Sequence, residues 1–179
     1  AVSNLVGNTP MEQAMQANME RLGPPPFDDE DRAFAEAIRA TLSDQDIAAP
    51  YTSAGLPLRR DQPLADFVLP LGQIGQPMIG STDVGDVSWV VPLVQADGAT
   101  CAVGTPFHSW QLTAQGKTPM AKKGMVHVAK VMAATALDAL RDGSLVAAAR
   151  ADLAERTRGT PYVCPLPEEV KPPVQPRRA

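Results

Sequence analysis

Apolar residues recur at helical spacing toward both ends of the chain. Met11, Met15, Met19 and Leu22 fall at i, i+4, i+8 and i+11, one face of a helix. Thr9 as N-cap and Pro10 at the first helical position predict its start, and Gly23 with the prolines at 24–26 predicts its end. The methionine stripe fits core packing better than a ligand surface, because methionine fills irregular cores. Phe34, Ile38 and Leu42 mark a second helix, opened by the acidic run Asp28, Asp29, Glu30 and Asp31. Carboxylates there complement the positive end of the helix dipole, so the run reads as a helix start and not a metal site. Residues 120–141 form the clearest helix, with an apolar stripe of Met125, Val128, Met132 and Ala136 beside Val131 and Leu140. Its frequent Ala and Gly suit close packing on a sheet. Asp142 and Gly143 close it, and Ser144 caps a last helix over 145–158.

The middle of the chain lacks helical spacing. Short apolar runs at 1–6, 66–71, 90–95 and 100–103 predict strands, the second of them alternatively an approach segment. Pro92 makes the third an edge or bulged strand. Asp97 and Gly98 form a turn signal that would pair the last two. Residues 43–66, broken by Pro50, Gly55, Pro57 and Pro63, predict loop. The six prolines of 161–179 predict an extended tail. The expected fold class is α/β, with helices packed on a mixed sheet.

Composition narrows the function. The 179 residues suffice for one domain, and 44% apolar with 20% charged residues is globular. A net charge of −4, with no basic patch interleaved with aromatics, argues against nucleic acid and against anionic membranes. No apolar run is long enough to span a bilayer, and no signal-peptide pattern opens the chain. Cys101 and Cys164 lie far apart, which suggests reduced thiols and a cytoplasmic protein. Only two histidines occur, with no HExxH, P-loop or GxGxxG pattern. A complete hydrolytic zinc site needs three or more ligands and a base. The chain, which opens on Ala1, is therefore expected to be a piece of something larger.

The densest chemistry lies in GSTDVGDVSWVVPLVQADGATCAVGTPFHSWQ, residues 80–111. Asp83 and Asp86 stand in a Ser/Thr/Gly-rich loop beside Trp89, and the expected strand at 100–103 runs into Gly104-Thr105-Pro106-Phe107-His108. In α/β enzymes, ligands collect at the carboxyl ends of strands. Two readings of His108 fit: a metal ligand or catalytic group, or a loop histidine bonded to a backbone carbonyl. His127 has no acid or second histidine at i+4 and reads as structural. Cys101, inside an apolar run, reads as an inert thiol.

The segments STDVGDVSW at 81–89, GTPFHSWQ at 104–111 and KTPMAKKGMVHVAKVMAA at 117–134 carry a resemblance, supported by the opening NTPMEQAMQANMERLGPPPFDDEDRAFAEAI. Together they resemble the carboxyl-terminal part of the M20 zinc peptidase and amidohydrolase family, in particular its aminobenzoyl-glutamate hydrolase group. The resemblance implies that 1–160 belongs to a zinc-exopeptidase-like catalytic domain, with 1–8 leaving an inserted lid domain. It implies two divalent metal ions, zinc with manganese as the alternative. It implies a small-molecule amide substrate, an N-acyl or N-aroyl amino acid such as aminobenzoyl-glutamate. A homodimer or hetero-oligomer is implied for the full-length protein. It makes His108 the last metal ligand and places Ser81, Thr82, Asp83 and Asp86 in the active-site neighbourhood. The remaining ligands and the glutamate base that would activate a metal-bound water belong to a part absent from this sequence, so the chain alone is expected to be inactive.

Overall fold

The computed structural model describes residues 3–72, 82–167 and 169–170. Seven helices occur among them: α1 (Thr9–Leu22), α2 (Asp29–Arg39), α3 (Asp44–Ser53), α4 (Val84–Ser88), α5 (Trp110–Gln115), α6 (Pro119–Arg141) and α7 (Gly143–Arg156). α1, α6 and α7 pack on one another. A second body of side chains, Phe27, Ala35, Ile38, Leu64, Ala102 and Met120, gathers α2 and the segments around 64 and 102 against the start of α6.

The expected α/β fold is corrected: no strand or sheet forms among the described residues. A strand exists only if a neighbour completes its backbone ladder. Among the described residues the four apolar runs do not supply one another with that ladder. The Val103 N–H donates to Pro63 O at 2.9 Å, and the Ala102 N–H donates to the side chain of Gln115. Asp97 and Gly98 do not join a hairpin. Gly98 instead lies against Val128 of α6, so closely that an added Cβ would stand 1.9 Å from its Cγ2.

The helix ends follow local chemistry. Asn8, not Thr9, caps α1, its side chain accepting the Met11 N–H at 3.3 Å. Asn8 is buried, and its Nδ2 donates to Ala149 O of α7 at 2.8 Å, so one residue starts α1 and docks α7. Asn18 does the same work between α1 and α6, donating to Asp138 Oδ2 at 2.6 Å. The acidic run does open a helix: Asp28 and Asp31 form a reciprocal capping box at the start of α2. Residues 43–66 are not all loop. Ser43 and Asp46 form a second capping box that starts α3, and Pro50 is carried inside that helix. The last helix starts two residues before its expected place, capped by Asp142 and not Ser144.

The expected stripe of α6 is also corrected. Met120, Ala121, Gly124, Val131 and Thr135 form its buried face, whereas Met125, Met132 and Leu140 are exposed. Both faces are apolar, so periodicity alone does not choose between them.

Lys123 of α6 reaches across to the capping box, donating to Asp31 Oδ2 at 2.5 Å and also to Asp28. The ammonium holds the Asp28 carboxyl below its ordinary 3.8, and the two carboxylates raise Lys123 above its ordinary 10.5. A depressed carboxyl pKa contributes stability above its unfolded value and loses it as pH falls through the folded one. A raised lysine pKa contributes below its unfolded value and loses it as pH rises through the folded one. The contact therefore acts across neutral pH. Lys123→Met should lower the urea midpoint at pH 7, and its gap to the native chain should narrow below pH 3.8. An equal gap at pH 7 and pH 3 would refute this account. Leu64, fully buried in the second body, should cost about 2–5 kcal/mol on change to alanine; urea unfolding at pH 7 measures it.

Candidate functional site

His108 stands on a loop built between α3 and α5. Gly104 begins it with φ 93, a conformation that favours glycine. The fit is also steric: a Cβ on Gly104 would stand 2.8 Å from Ile47 Cα and 2.9 Å from Asp46 O. Pro50 lacks the N–H that would bond Asp46 O within α3, so the loop packs against a carbonyl the helix leaves free. Thr105 Oγ1 donates to Ala102 O at 2.7 Å, and Ser109 Oγ donates to Pro106 O at 2.7 Å. Ser109 also caps α5 by accepting the Leu112 N–H.

Gln115, at the end of α5, is the buried hub. Its Oε1 accepts the Ala102 N–H at 2.7 Å, and its Nε2 donates to Thr105 Oγ1 and to Gln111 O, each at 3.0 Å. One side chain thus fixes both the entry and the exit of the His108 loop. Within that frame His108 has φ 62, a left-handed backbone that costs on the order of 1–2 kcal/mol for a residue with a Cβ. Its side chain is exposed. A strained, exposed imidazole on a pinned loop can take a proton or bind a metal through either ring nitrogen.

The aspartates are held by a separate set of contacts. Thr82 Oγ1 accepts the Val84 N–H at 3.3 Å and starts α4. Asp83 is exposed at the N-cap position, without a capping hydrogen bond from its side chain. Asp86 Oδ1 accepts from Ser3 Oγ at 2.6 Å. Ser88 Oγ accepts the Val6 N–H at 2.8 Å, and Trp89 Nε1 donates to Asn4 O at 2.9 Å. Gly85 lies flat on the Ser3 carbonyl, where a Cβ would stand 2.1 Å away. The segment 82–89 is therefore stitched to residues 3–6. Tyr162 lies beside it; burial, then the nearby charges of Asp86 and Cys164, raise its phenol above the ordinary 10.0. No hydrogen bond or ion pair joins His108 to Thr82, Asp83 or Asp86 among the described residues. Ser81 lies outside those residues.

A cavity of about 510 Å³ opens beside the His108 loop. Met15 and Met19 of α1, Tyr51 of α3, Val131 of α6, Cys101 and Phe107 are among its walls. His127 also borders it, whereas His108 and the two aspartates do not. Burial pushes the Cys101 thiol up, and the Thr105 hydrogen bond only partly offsets that, which keeps it inert at neutral pH. Sequence reasoning missed both the cavity and Gln115. The cavity is lined by segments far apart in the chain, and nothing in the spacing around Gln115 marks a glutamine as buried.

A hydrolase of known name is similar to this chain. The identity is 39% over 182 residues, to a protein named as a subunit of p-aminobenzoyl-glutamate hydrolase, from Escherichia coli (strain K12). The match covers 96% of this chain and 38% of that protein, so the chain spans well under half the length of the curated relative it matches. No family model matches the chain, and no solved structure matches it.

The donor set sets a limit on metal chemistry. A structural or catalytic zinc takes three or four protein ligands. No group of three or more His, Cys, Asp or Glu side chains with metal-binding geometry occurs among the described residues. Among them His108 is a single imidazole, short of that ligand number.

Gln115→Ala should leave the buried Ala102 N–H without an acceptor, at a cost of about 1–3 kcal/mol. Hydrogen exchange should quicken at Ala102 and through 103–109 while the α1–α7 contact keeps its protection. Unchanged exchange at Ala102 would show that the hub does not hold the loop.

Proposed function

We propose that this chain is part of a metal-dependent amidohydrolase of the M20 type. The enzyme cleaves the amide bond of N-acyl or N-aroyl amino acids such as aminobenzoyl-glutamate. The observation that carries the reading is the 39% identity to a hydrolase subunit over nearly the whole chain. The strained and exposed His108, held by Gln115, supports it: the loop is built to present one imidazole. In this reading His108 is one ligand of a centre of two divalent ions, zinc or manganese, whose other ligands lie outside these residues. Such ions would supply an acidified water and polarise the amide carbonyl. As a ligand His108 would bind the ion through a neutral ring nitrogen.

The two aspartates take different parts. Asp86, engaged with Ser3, positions the 82–89 segment. Asp83, exposed and free of a capping bond, is the one available to substrate or to a ligand's second nitrogen, with Ser81 and Thr82 in the same segment. Alone, the chain is inactive in this reading, because the described residues complete neither a metal site nor a general base.

A second reading has one observation in its favour. The relative is named as a subunit, and the missing ligands fit a non-catalytic chain that works with a partner. The first reading expects His108→Ala, in the protein expressed from the complete reading frame, to lose roughly 100-fold or more in aminobenzoyl-glutamate hydrolysis and to lose bound metal. Unchanged turnover and metal content would remove His108 from the site and favour the non-catalytic chain.

A further inference from the structure

Helix α6 carries two apolar faces, and among the described residues only one of them is buried. Its inner face packs on α1 and α7 and carries the buried Met120, Gly124 and Val131. The opposite face, from Met125 to Leu140, presents Met125 (60% exposed), Val126, Met132, Leu137 and Leu140 (83% exposed). Ala129, Ala133 and Ala136 fill the positions between them and are exposed as well. At 100° per residue these eight share one broad face, and no charged residue interrupts it. It runs for about four turns, roughly 22 Å. A broad apolar helix face is normally covered by another part of a protein body. The balance of the whole chain agrees: twelve apolar residues are buried, whereas seventeen large ones are exposed among the described residues. α6 is not long and apolar enough to cross a membrane, which removes that explanation for its composition.

We propose that the outer face of α6 docks further polypeptide of the same hydrolase, outside these 179 residues, through an uncharged apolar surface. The proposal rests on the reading that this chain is part of such an enzyme. One observation selects this occupant over a second copy of the chain, and another is compatible with it. The matching hydrolase subunit has most of its length outside the match, so protein of that kind has the mass to cover a second side. The alanines at 129, 133 and 136 alternate with large side chains, a relief that accepts a close-packed layer along the full four turns. α6 then becomes a central helix, with α1 and α7 on one side and the added polypeptide on the other.

Thiol accessibility tests this in the protein expressed from the complete reading frame. In a background of Cys101→Ala and Cys164→Ser, Met132→Cys is labelled with a maleimide under native conditions and in urea. Labelling in the longer protein should be at least 100-fold slower than in the isolated 179-residue chain, and the two should label equally in urea. A benzophenone maleimide attached at that position of the longer protein in urea, before refolding, should cross-link on illumination to peptides outside these 179 residues. Because Met132 is exposed, its replacement leaves the fold intact, which circular dichroism verifies. Fast labelling in the longer protein would overturn the proposal, as would cross-links only to a second copy of α6. Aminobenzoyl-glutamate hydrolysis is measured on the same preparation. Hydrolysis with a freely labelled Met132→Cys removes the docking face and keeps the enzyme reading; a protected residue without hydrolysis does the reverse.

Discussion

The structure depends on one close approach, that of the 98–102 backbone to α6. At Gly124 a Cβ would stand 1.9 Å from Ala99 O, so only glycine lets the extended segment lie on the helix there. One turn further along, Gly98 makes the reciprocal contact with Val128. Two missing side chains, one on each partner, set the depth at which the segment sits. That depth carries Ala102 into the core beside Met120 and Leu64. It also brings the Ala102 N–H to Gln115, and Gln115 then fixes the loop that holds His108. A methyl group at position 124 would act on His108 through this chain of contacts without touching it.

The same geometry explains why this apolar segment is not the strand its sequence predicts. Its backbone groups find their partners one at a time: a proline carbonyl for Val103 and a glutamine side chain for Ala102. These bonds satisfy buried polar groups as well as a ladder would, and they leave no repeating edge. The cost of such irregular satisfaction is sensitivity. Each donor has one acceptor, and no neighbouring pair takes over when one is lost.

The candidate residues are anchored by two separate sets of bonds. The Thr82–Asp86 region is bound to the first residues of the described chain, through Asp86, Ser88 and Trp89. The His108 loop is bound to α3 and α5. Each half is well anchored and chemically incomplete. The exposed apolar side of α6 has the same character, since it is well formed as a helix and poorly covered as a surface. Incomplete chemistry and incomplete burial occur together in a chain that matches 38% of the length of a hydrolase subunit.

The sequence by itself determined what depends on neighbours within a few residues. The acidic run at 28–31 opened a helix because carboxylates bond the free N–H groups of a first turn. Pro10, Gly23 and Pro119 bounded helices for equally local reasons. α3 was legible too: Ser43 and Asp46 have capping-box spacing, outweighed in the reading by Pro50. His108 stood out because a histidine after Gly-Thr-Pro is unusual in so histidine-poor a chain. Tertiary structure decided the rest. Which of two apolar faces α6 buries depends on where α1 and α7 lie, and periodicity is blind to that choice. Whether an apolar run becomes a strand depends on a partner backbone that no local pattern specifies. Gln115 became a hub because burial makes its amide the sole acceptor for a distant N–H, a role created by the packing and not by the glutamine's own spacing.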